Sequence, residues 1–538
     1  MITLFNKSKH SSEKYKDIIS KSTLIHSGSP ALYQLRPEKE QVGNLTRMTI
    51  GKKNPNKINK TILLVGEIGT GKSTLVNALL NYTMGVKCED NIWFMMEEEK
   101  EKEGQSESRT SDVIVYEIFG FEDKTLSYSL TIIDTPGYGS TKGIEHDDIV
   151  SKELLELFSS DHGLHEINAV GLVLRATECR LSDRLKYIFD SVVSLFGKDI
   201  ENKIVALITH STGGTPTNVL QALEAANIKC AKNEKQQAVH FLFDNCQKTQ
   251  KSEETSTELV NAWRVTKKGM SQFTAFLERS SPQKLKTTVK VLKTRVRLAA
   301  CIQNLQERIM LIELKQTEIQ QTREGLKKHE EEMRKNEGFT VEVDEVYKDK
   351  ETIAGGRWGL FFFEGAVVCT VCQENCHYPG CTVAWSPEGC EVIKRGHCIV
   401  CTNKCPASDH VKETWRFVNK TRKVQRTATE MKEEFEKNKA ESERKSSLLE
   451  NLEKEMKDLT AQMNQLVEEA YEHVVRLDEI ALNVNSLSTH VHLDSLIEKL
   501  EKKGDTEKVQ KLDKMRSRVD EGTKAGLRYM FGKVTAGW

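Results

Sequence analysis

The stretch that most constrains this chain is GEIGTGKST, Gly66 to Thr74, directly behind the apolar run Thr61–Val65. Gly66, Gly71, Lys72 and Ser73 fill the fixed positions of the phosphate-binding loop G-x-x-x-x-G-K-[ST]. The context is the required one, with a buried strand before the loop and a helical pattern, Ser73–Leu80, after it. Small residues let successive backbone N–H groups curl around a phosphate, and the helix N-terminus adds positive partial charge. Lys72 reaches the β- and γ-phosphates and Ser73 offers its hydroxyl to Mg²⁺. The whole loop, Gly66, Glu67, Gly69, Thr70, Gly71, Lys72, Ser73 and Thr74, is assigned to a nucleoside triphosphate.

A chain of 538 residues exceeds what one core organises, so several structural units are expected. Lys plus Arg and Asp plus Glu both number 79, and this balance gives no sign of a nucleic-acid partner. The N-terminus lacks the apolar core of a secretory signal, and no apolar run reaches membrane-spanning length. The cytoplasm is the expected compartment.

Residues 1–57 read as a polar lead-in with little core of its own. From 58 to 282 strand and helix patterns alternate. Apolar strands are expected at Val113–Phe119, Leu130–Ile133, Ala169–Leu174, Lys203–Thr209 and Val239–Phe243, with helices at Ser182–Phe196 and Pro216–Ala226. The alternation predicts an α/β domain with a mostly parallel sheet and helices on both faces. The sequence DTPG ends one of these strands, so Asp134 faces the metal of Ser73 and the Gly137 backbone N–H contacts a γ-phosphate. An acidic low-complexity stretch, Met96–Glu107, precedes Thr110, which suits a mobile switch segment whose hydroxyl joins Mg²⁺ when a γ-phosphate is bound.

These motifs resemble the septin-related GTPases, in particular the immunity-associated group that includes the plant chloroplast import GTPases. The resemblance spans roughly residues 58–280. It implies GTP or GDP with Mg²⁺, and pairing of two G domains that assists hydrolysis. It also implies a base site after two late strands, with Thr209, His210 and Asn245 beside the base. Related sequences carry an Asp there that holds guanine; this chain reads THSTG, with Thr212 at that place. Tyr138 follows DTPG where small signalling GTPases place a water-orienting Gln. Slow hydrolysis by a single chain is expected. Arg109 and His146 are candidates to act across a G-domain pair, and no catalytic base is assigned. A pseudo-GTPase scaffold is the alternative.

Beyond Pro282, a 3-4 apolar repeat (Ile302, Leu305, Ile309, Ile312, Gln316, Ile319, Arg323, Leu326) predicts a coiled-coil arm over 283–337. A second repeat (Leu449, Leu452, Met456, Leu459, Met463, Leu466, Ala470) predicts another over 411–470. Arms of near-equal length flanking an insert suggest an antiparallel hairpin that carries the insert at its far end. Pairing of each arm with a second chain satisfies the heptads too. A helical segment follows over 471–538.

The insert, 338–410, opens with a strand pattern at Phe339–Tyr347 and an apolar run at Trp358–Cys369, read as a β-hairpin turning at Gly355-Gly356. It holds eight of the 13 cysteines: Cys369, Cys372, Cys376, Cys381, Cys390, Cys398, Cys401 and Cys405. Paired C-x₂-C units close tetrahedral zinc sites, so two structural Zn²⁺ ions are expected, with His377, His397 and His410 as possible substitutes for a thiolate. No H-x-E or H-E-x-x-H accompanies them, which argues against zinc catalysis. Cys88, Cys179, Cys230, Cys246 and Cys301 are scattered and need no special role. The Cys-rich insert also resembles that of a little-characterised group of animal GTPases, which implies architecture only. An unknown protein partner is expected at the stalk or zinc tip.

Overall fold

The computed structural model describes residues 14–42, 45–96, 113–136, 144–160, 163–178, 182–250, 256–328, 340–353, 365–381, 386–427, 448–484 and 487–517. Two compact units emerge: Met1–Leu292 with Asp478–Val491 and Asp513–Trp538, and Lys293–Leu477 with His492–Leu512.

The first unit contains β1 (Thr23–His26), β2 (Ala31–Gln34), β3 (Glu38–Val42), β4 (Leu45–Ile50), β5 (Asn59–Gly66), β6 (Ile92–Met95), β7 (Ile114–Ile118) and β8 (Ser129–Asp134). These are followed by β9 (Glu166–Ile167), β10 (Ala169–Arg175), β11 (Ile204–Thr209), β12 (His240–Leu242) and β13 (Gln283–Lys284). The main sheet has eight strands in the order β12-β11-β10-β5-β8-β7-β4-β3. The β7/β8 and β3/β4 pairs are antiparallel and the other five pairs parallel. Strands β8 and β11 are buried along their whole length and β10 up to Arg175. Since successive side chains point to opposite faces, such strands are covered on both sides.

The lead-in is not bare, contrary to its polar appearance. Its β3 and β4 extend the main sheet, while β1 and β2 join β6 in a second sheet. Tyr15, Leu35 and Met48 enter the same core as Ile62 and Leu64. Short edge strands need only a few apolar residues each, and mixed composition hides them. At the other end of the chain, the segment from Asp478 returns to this unit. Leu482 N donates to Phe196 O at 2.8 Å and Lys198 Nζ to Asp478 O at 2.7 Å.

In the second unit lie most of the helix Lys286–Lys328, then β14 (Thr340–Thr352), β15 (Gly365–Cys369), β16 (Glu374–Cys381), β17 (Ile393–Lys394), β18 (His397–Cys398), β19 (His410–Glu413) and β20 (Trp415–Thr427). The helix Leu448–Ile480 follows. The expected hairpin of 339–369 does not form: β14 pairs antiparallel with β20, and β15 pairs with β16 and β19. The proposed turn at Gly355-Gly356 lies outside the described residues. Residues 411–427, expected as helical arm, are therefore largely strand. Charge explains the pairing, because acidic β14 faces basic β20. Glu342 meets Lys423 at 2.8 Å, Asp349 meets Lys420 at 2.7 Å and Glu351 meets Arg416 at 3.0 Å. Such exposed pairs contribute little stability, roughly 0–1 kcal/mol each, but they disfavour a slipped register.

Of the second expected repeat, Leu452, Leu459, Leu466 and Ala470 are buried and Met456 and Met463 half-buried. In the first the buried face is wider than the repeat. Ile302, Leu305 and Ile319 are buried as expected, and so are Cys301, Asn304, Arg308, Leu311, Lys315, Glu318 and Thr322, one position before the repeat at the same 3-4 spacing. The cause is the Cys-rich module, which lies along this helix rather than at its far end. Asn304 Nδ2 donates to Asn375 O at 2.8 Å, Arg308 pairs with Glu374, and Arg297 Nε donates to Glu391 O at 3.1 Å. Lys315–Glu455 (3.1 Å) and Arg323–Glu453 link the two long helices.

Candidate functional site

The phosphate loop leaves β5 at Gly66 and enters the helix Lys72–Met84 through Gly71, whose φ of 89° only glycine adopts readily. A Cβ on Gly66 would lie 2.5 Å from Val173 O of β10, so the loop is packed directly on the next strand. Lys72 is buried and donates to Gly66 O (2.8 Å) and Glu67 O (3.2 Å). Burial pushes its pKa down, and Asp134 and Glu67 partly offset this. Ser73 Oγ stands 3.4 Å from Asp134 Oδ2, which joins the first turn of the helix to the end of β8. Thr70 Oγ1 donates to Glu67 O at 2.9 Å, and Thr74 is half-buried in the same turn.

Asp134 is fully buried, and its Oδ1 has no hydrogen-bond partner among the described residues. Burial lifts its carboxyl to about 6, against the opposing pull of Lys72 and Ser73. A buried carboxylate oxygen without a donor is costly, and a divalent cation satisfies it. The hydroxyl–carboxylate pair therefore fits Mg²⁺, held by oxygen ligands.

Two residues brace the loop from outside the motif. Arg175, at the end of β10, donates through Nε and Nη2 to Gly69 O at 3.1 and 2.8 Å. Only its position at a strand end, the edge where α/β sheets bind ligands, could have marked it in the sequence. Thr209, expected at the base, instead directs its hydroxyl toward Thr70 O (2.7 Å) and Leu174 O (3.0 Å). His210 follows at a φ of 52°, with Nδ1 3.1 Å from Thr209 Oγ1. The THSTG segment is tied to the next strand by Ser211 N donating to Phe243 O at 3.0 Å, and Thr212 is exposed. Asn245 Nδ2 is buried without a partner among the described residues. Arg109, Thr110, Gly137 and Tyr138 lie outside the described residues, as do Cys179 and the His146 side chain.

The cysteines converge in the second unit as three groups: Cys369, Cys372, Cys401 and Cys405; Cys376, Cys398, Cys401 and His410; and His377, Cys381 and Cys390. The groups are not two separate Cys₄ sets: Cys401 belongs to two of them, His410 takes a place in one, and Cys381 and Cys390 stand with His377. Backbone N–H groups point at the sulfurs, Cys372 N to Cys369 Sγ at 3.3 Å and Cys405 N to Cys401 Sγ at 3.2 Å. Hydrogen bonds from Cys376 and Cys398 hold Cys401 well below the usual thiol range. His410 Nδ1 lies 2.9 Å from Pro406 O, while its buried Nε2 has no partner among the described residues. That is how a metal-ligating imidazole is oriented by a carbonyl. Thiolates and an imidazole in this density suit Zn²⁺. His397 is exposed and joins none of the groups.

Residues 56–154 match the Septin family model. The matched segment runs from the residues before β5, through the phosphate loop and β8, into the helix Ile144–Ser159. No curated protein matches the chain in sequence. Among solved structures, Toc33 from Arabidopsis thaliana in complex with Mg²⁺ and GMPPNP is similar at 18% identity, covering 42% of this chain and 88% of that one, with a TM-score of 0.28. The same protein with GDP and Mg²⁺ gives 17% identity, 42% and 88% coverage, and a TM-score of 0.27. The bacterial dynamin GTPase LeoA from ETEC gives 14% identity, 51% and 47% coverage, and a TM-score of 0.24. No helix of the described residues is long and apolar enough to cross a membrane.

Proposed function

We propose that the chain is a cytoplasmic guanine-nucleotide switch that hydrolyses GTP slowly, aided by pairing of two G domains, and acts on a protein partner through its metal-bound helical unit. The observation that carries this is the phosphate end: a buried Lys72 held on loop carbonyls, beside a Ser73–Asp134 pair with one unsatisfied carboxylate oxygen. On binding nucleotide, Lys72 exchanges those carbonyls for β- and γ-phosphate oxygens, and the loop N–H groups cradle the β-phosphate. Ser73 and Asp134 would hold Mg²⁺, which neutralises phosphate charge, with Thr110 added in the triphosphate state.

Asn245 supports guanine over adenine. Its unpartnered amide donor suits the O6 carbonyl of guanine and opposes the amino group of adenine. With Thr212 in place of an Asp, selectivity rests on neutral hydrogen bonds and is modest. Tyr138 in the place of Gln leaves the attacking water without its usual positioner, which makes pairing the source of rate. In the second unit, the two groups that share Cys401 would hold a thiolate-bridged pair of structural Zn²⁺ ions, giving a small β-module the core it lacks.

The pseudo-GTPase reading is favoured by the exposed Thr212. Turnover measured against protein concentration separates the two. A per-chain GTP hydrolysis rate that rises with concentration supports the paired switch. Intact GTP binding with no turnover at any concentration establishes the scaffold instead.

A further inference from the structure

The eight cysteines of the module divide unevenly: six combine with His410, and Cys381 and Cys390 gather instead around His377. We propose that His377, Cys381 and Cys390 form a third Zn²⁺ site, with three protein ligands and an exchangeable fourth position. It rests on the metal reading of the module, to which it adds an ion of different chemistry.

The spacing is that of ligands on one ion. Cys381 Sγ and Cys390 Sγ lie 3.8 Å apart, and His377 Nδ1 is 3.1 Å from Cys390 Sγ. Two Zn–S bonds of about 2.3 Å at a tetrahedral angle set their sulfurs about 3.8 Å apart. A disulfide needs about 2.05 Å. Both thiols are buried, at 1% and 3% exposure.

The backbone is shaped to bring these groups together. Cys381 lies opposite Gly365 and His377 opposite Val367 on β15. Four residues of β16 are thus matched to two of β15, and the register shift falls between them. In a regular strand, residues four apart are about 13 Å from each other. The bulge reduces this to the spacing of residues two apart, about 7 Å, and keeps both side chains on one face. Bulges that re-aim side chains are features of sites rather than accidents.

No fourth His, Cys, Asp or Glu joins the group among the described residues. Of the undescribed residues beside these strands, 382–385 (Thr-Val-Ala-Trp) contain none, and Glu364, next to Gly365, is the only carboxylate of 354–364. We assign the fourth tetrahedral position to water, which a soft anion such as a small thiolate displaces; a Glu364 ligand would instead show as release of all three ions in a single phase. Two thiolates and a neutral imidazole balance the charge of Zn²⁺. With one protein ligand fewer than the bridged pair, this ion leaves first when challenged by a chelator.

The test is zinc content and release for the full-length chain, by elemental analysis and with 4-(2-pyridylazo)resorcinol as chelator. Three ions per chain are expected, one released in a fast phase and two slowly. Cys381→Ser/Cys390→Ser should hold two ions and lose the fast phase, whereas His377→Cys should keep three. A wild-type content of two overturns the third site and leaves the bridged pair standing. A content of zero overturns the metal reading of the whole module. Three ions released in a single phase overturn the exchangeable position. If the double substitution unfolds the module, His377→Ala serves in its place, and the wild-type count decides regardless.

Discussion

Replacing Glu374 with Ala should destabilise the second unit by about 3–5 kcal/mol, the cost of breaking a buried ion pair from one side. Glu374 and Arg308 have side-chain exposures of only 6% and 8%. Glu374 also accepts from Thr402 Oγ1 at 2.6 Å and Thr402 N at 2.9 Å. At an effective dielectric near 20, unit charges about 3 Å apart attract by roughly 5 kcal/mol, so the pair offsets its own desolvation only while complete. Alanine at 374 strands a guanidinium whose Nε already lacks a partner among the described residues, together with a backbone N–H. Arg308→Ala should cost a similar amount. The double substitution Arg308→Met/Glu374→Leu should cost far less than the sum, because no charge is left buried. Urea unfolding followed by amide exchange in β15 and β16 measures all three. A loss below about 1 kcal/mol for Glu374→Ala, or a strictly additive double substitution, would mean that the Arg308–Glu374 pair does not depend on its burial in this way.

The Mg²⁺-dependent part of nucleotide affinity should weaken as pH falls below about 6, because the ion needs Asp134 ionised and burial has raised its carboxyl to that value. The sign for stability is opposite. A carboxyl raised from 3.8 to about 6 favours the folded state when protonated, so this contribution is lost as pH rises through that window. Asp134→Asn should abolish both dependences, as titration calorimetry from pH 5 to 8 and melting from pH 3.5 to 7 would report. Gly66→Ala should eliminate nucleotide binding, since its Cβ would sit 2.5 Å from Val173 O; binding within threefold of wild type contradicts this. Arg175→Ala should weaken binding severalfold by freeing the Gly69 carbonyl, with little change in melting temperature.

The G-domain strands were legible because burial on both faces writes them as unbroken apolar runs, as in ALITH and TIIDT. The phosphate loop was legible because its geometry admits few residues. β3 and β4 were not, since β4 buries only two apolar side chains, Leu45 and Met48, and Glu38–Gln41 of β3 are exposed. The helical heptads located the long helices but showed only part of the buried face of the first one, missing the polar stripe beside Ile302, Leu305 and Ile319. Asn304, Arg308 and Glu318 are buried by partners far along the chain, and no periodicity of apolar residues reports them. The pairing of β14 with β20 was written in their opposite charges, a signal that apolar patterning overlooks. The clustering of the cysteines was legible, yet spacing alone did not show that Cys401 belongs to two groups or that a bulge brings Cys381 and His377 together.

The decisive measurement is calorimetric titration of the full-length chain with GTP and with ATP, with and without Mg²⁺. GTP binding that Mg²⁺ strengthens, weaker ATP binding, and loss of both in Lys72→Ala are the expected results. Failure of either nucleotide to bind, or unchanged GTP binding by Lys72→Ala, would contradict the guanine-nucleotide switch.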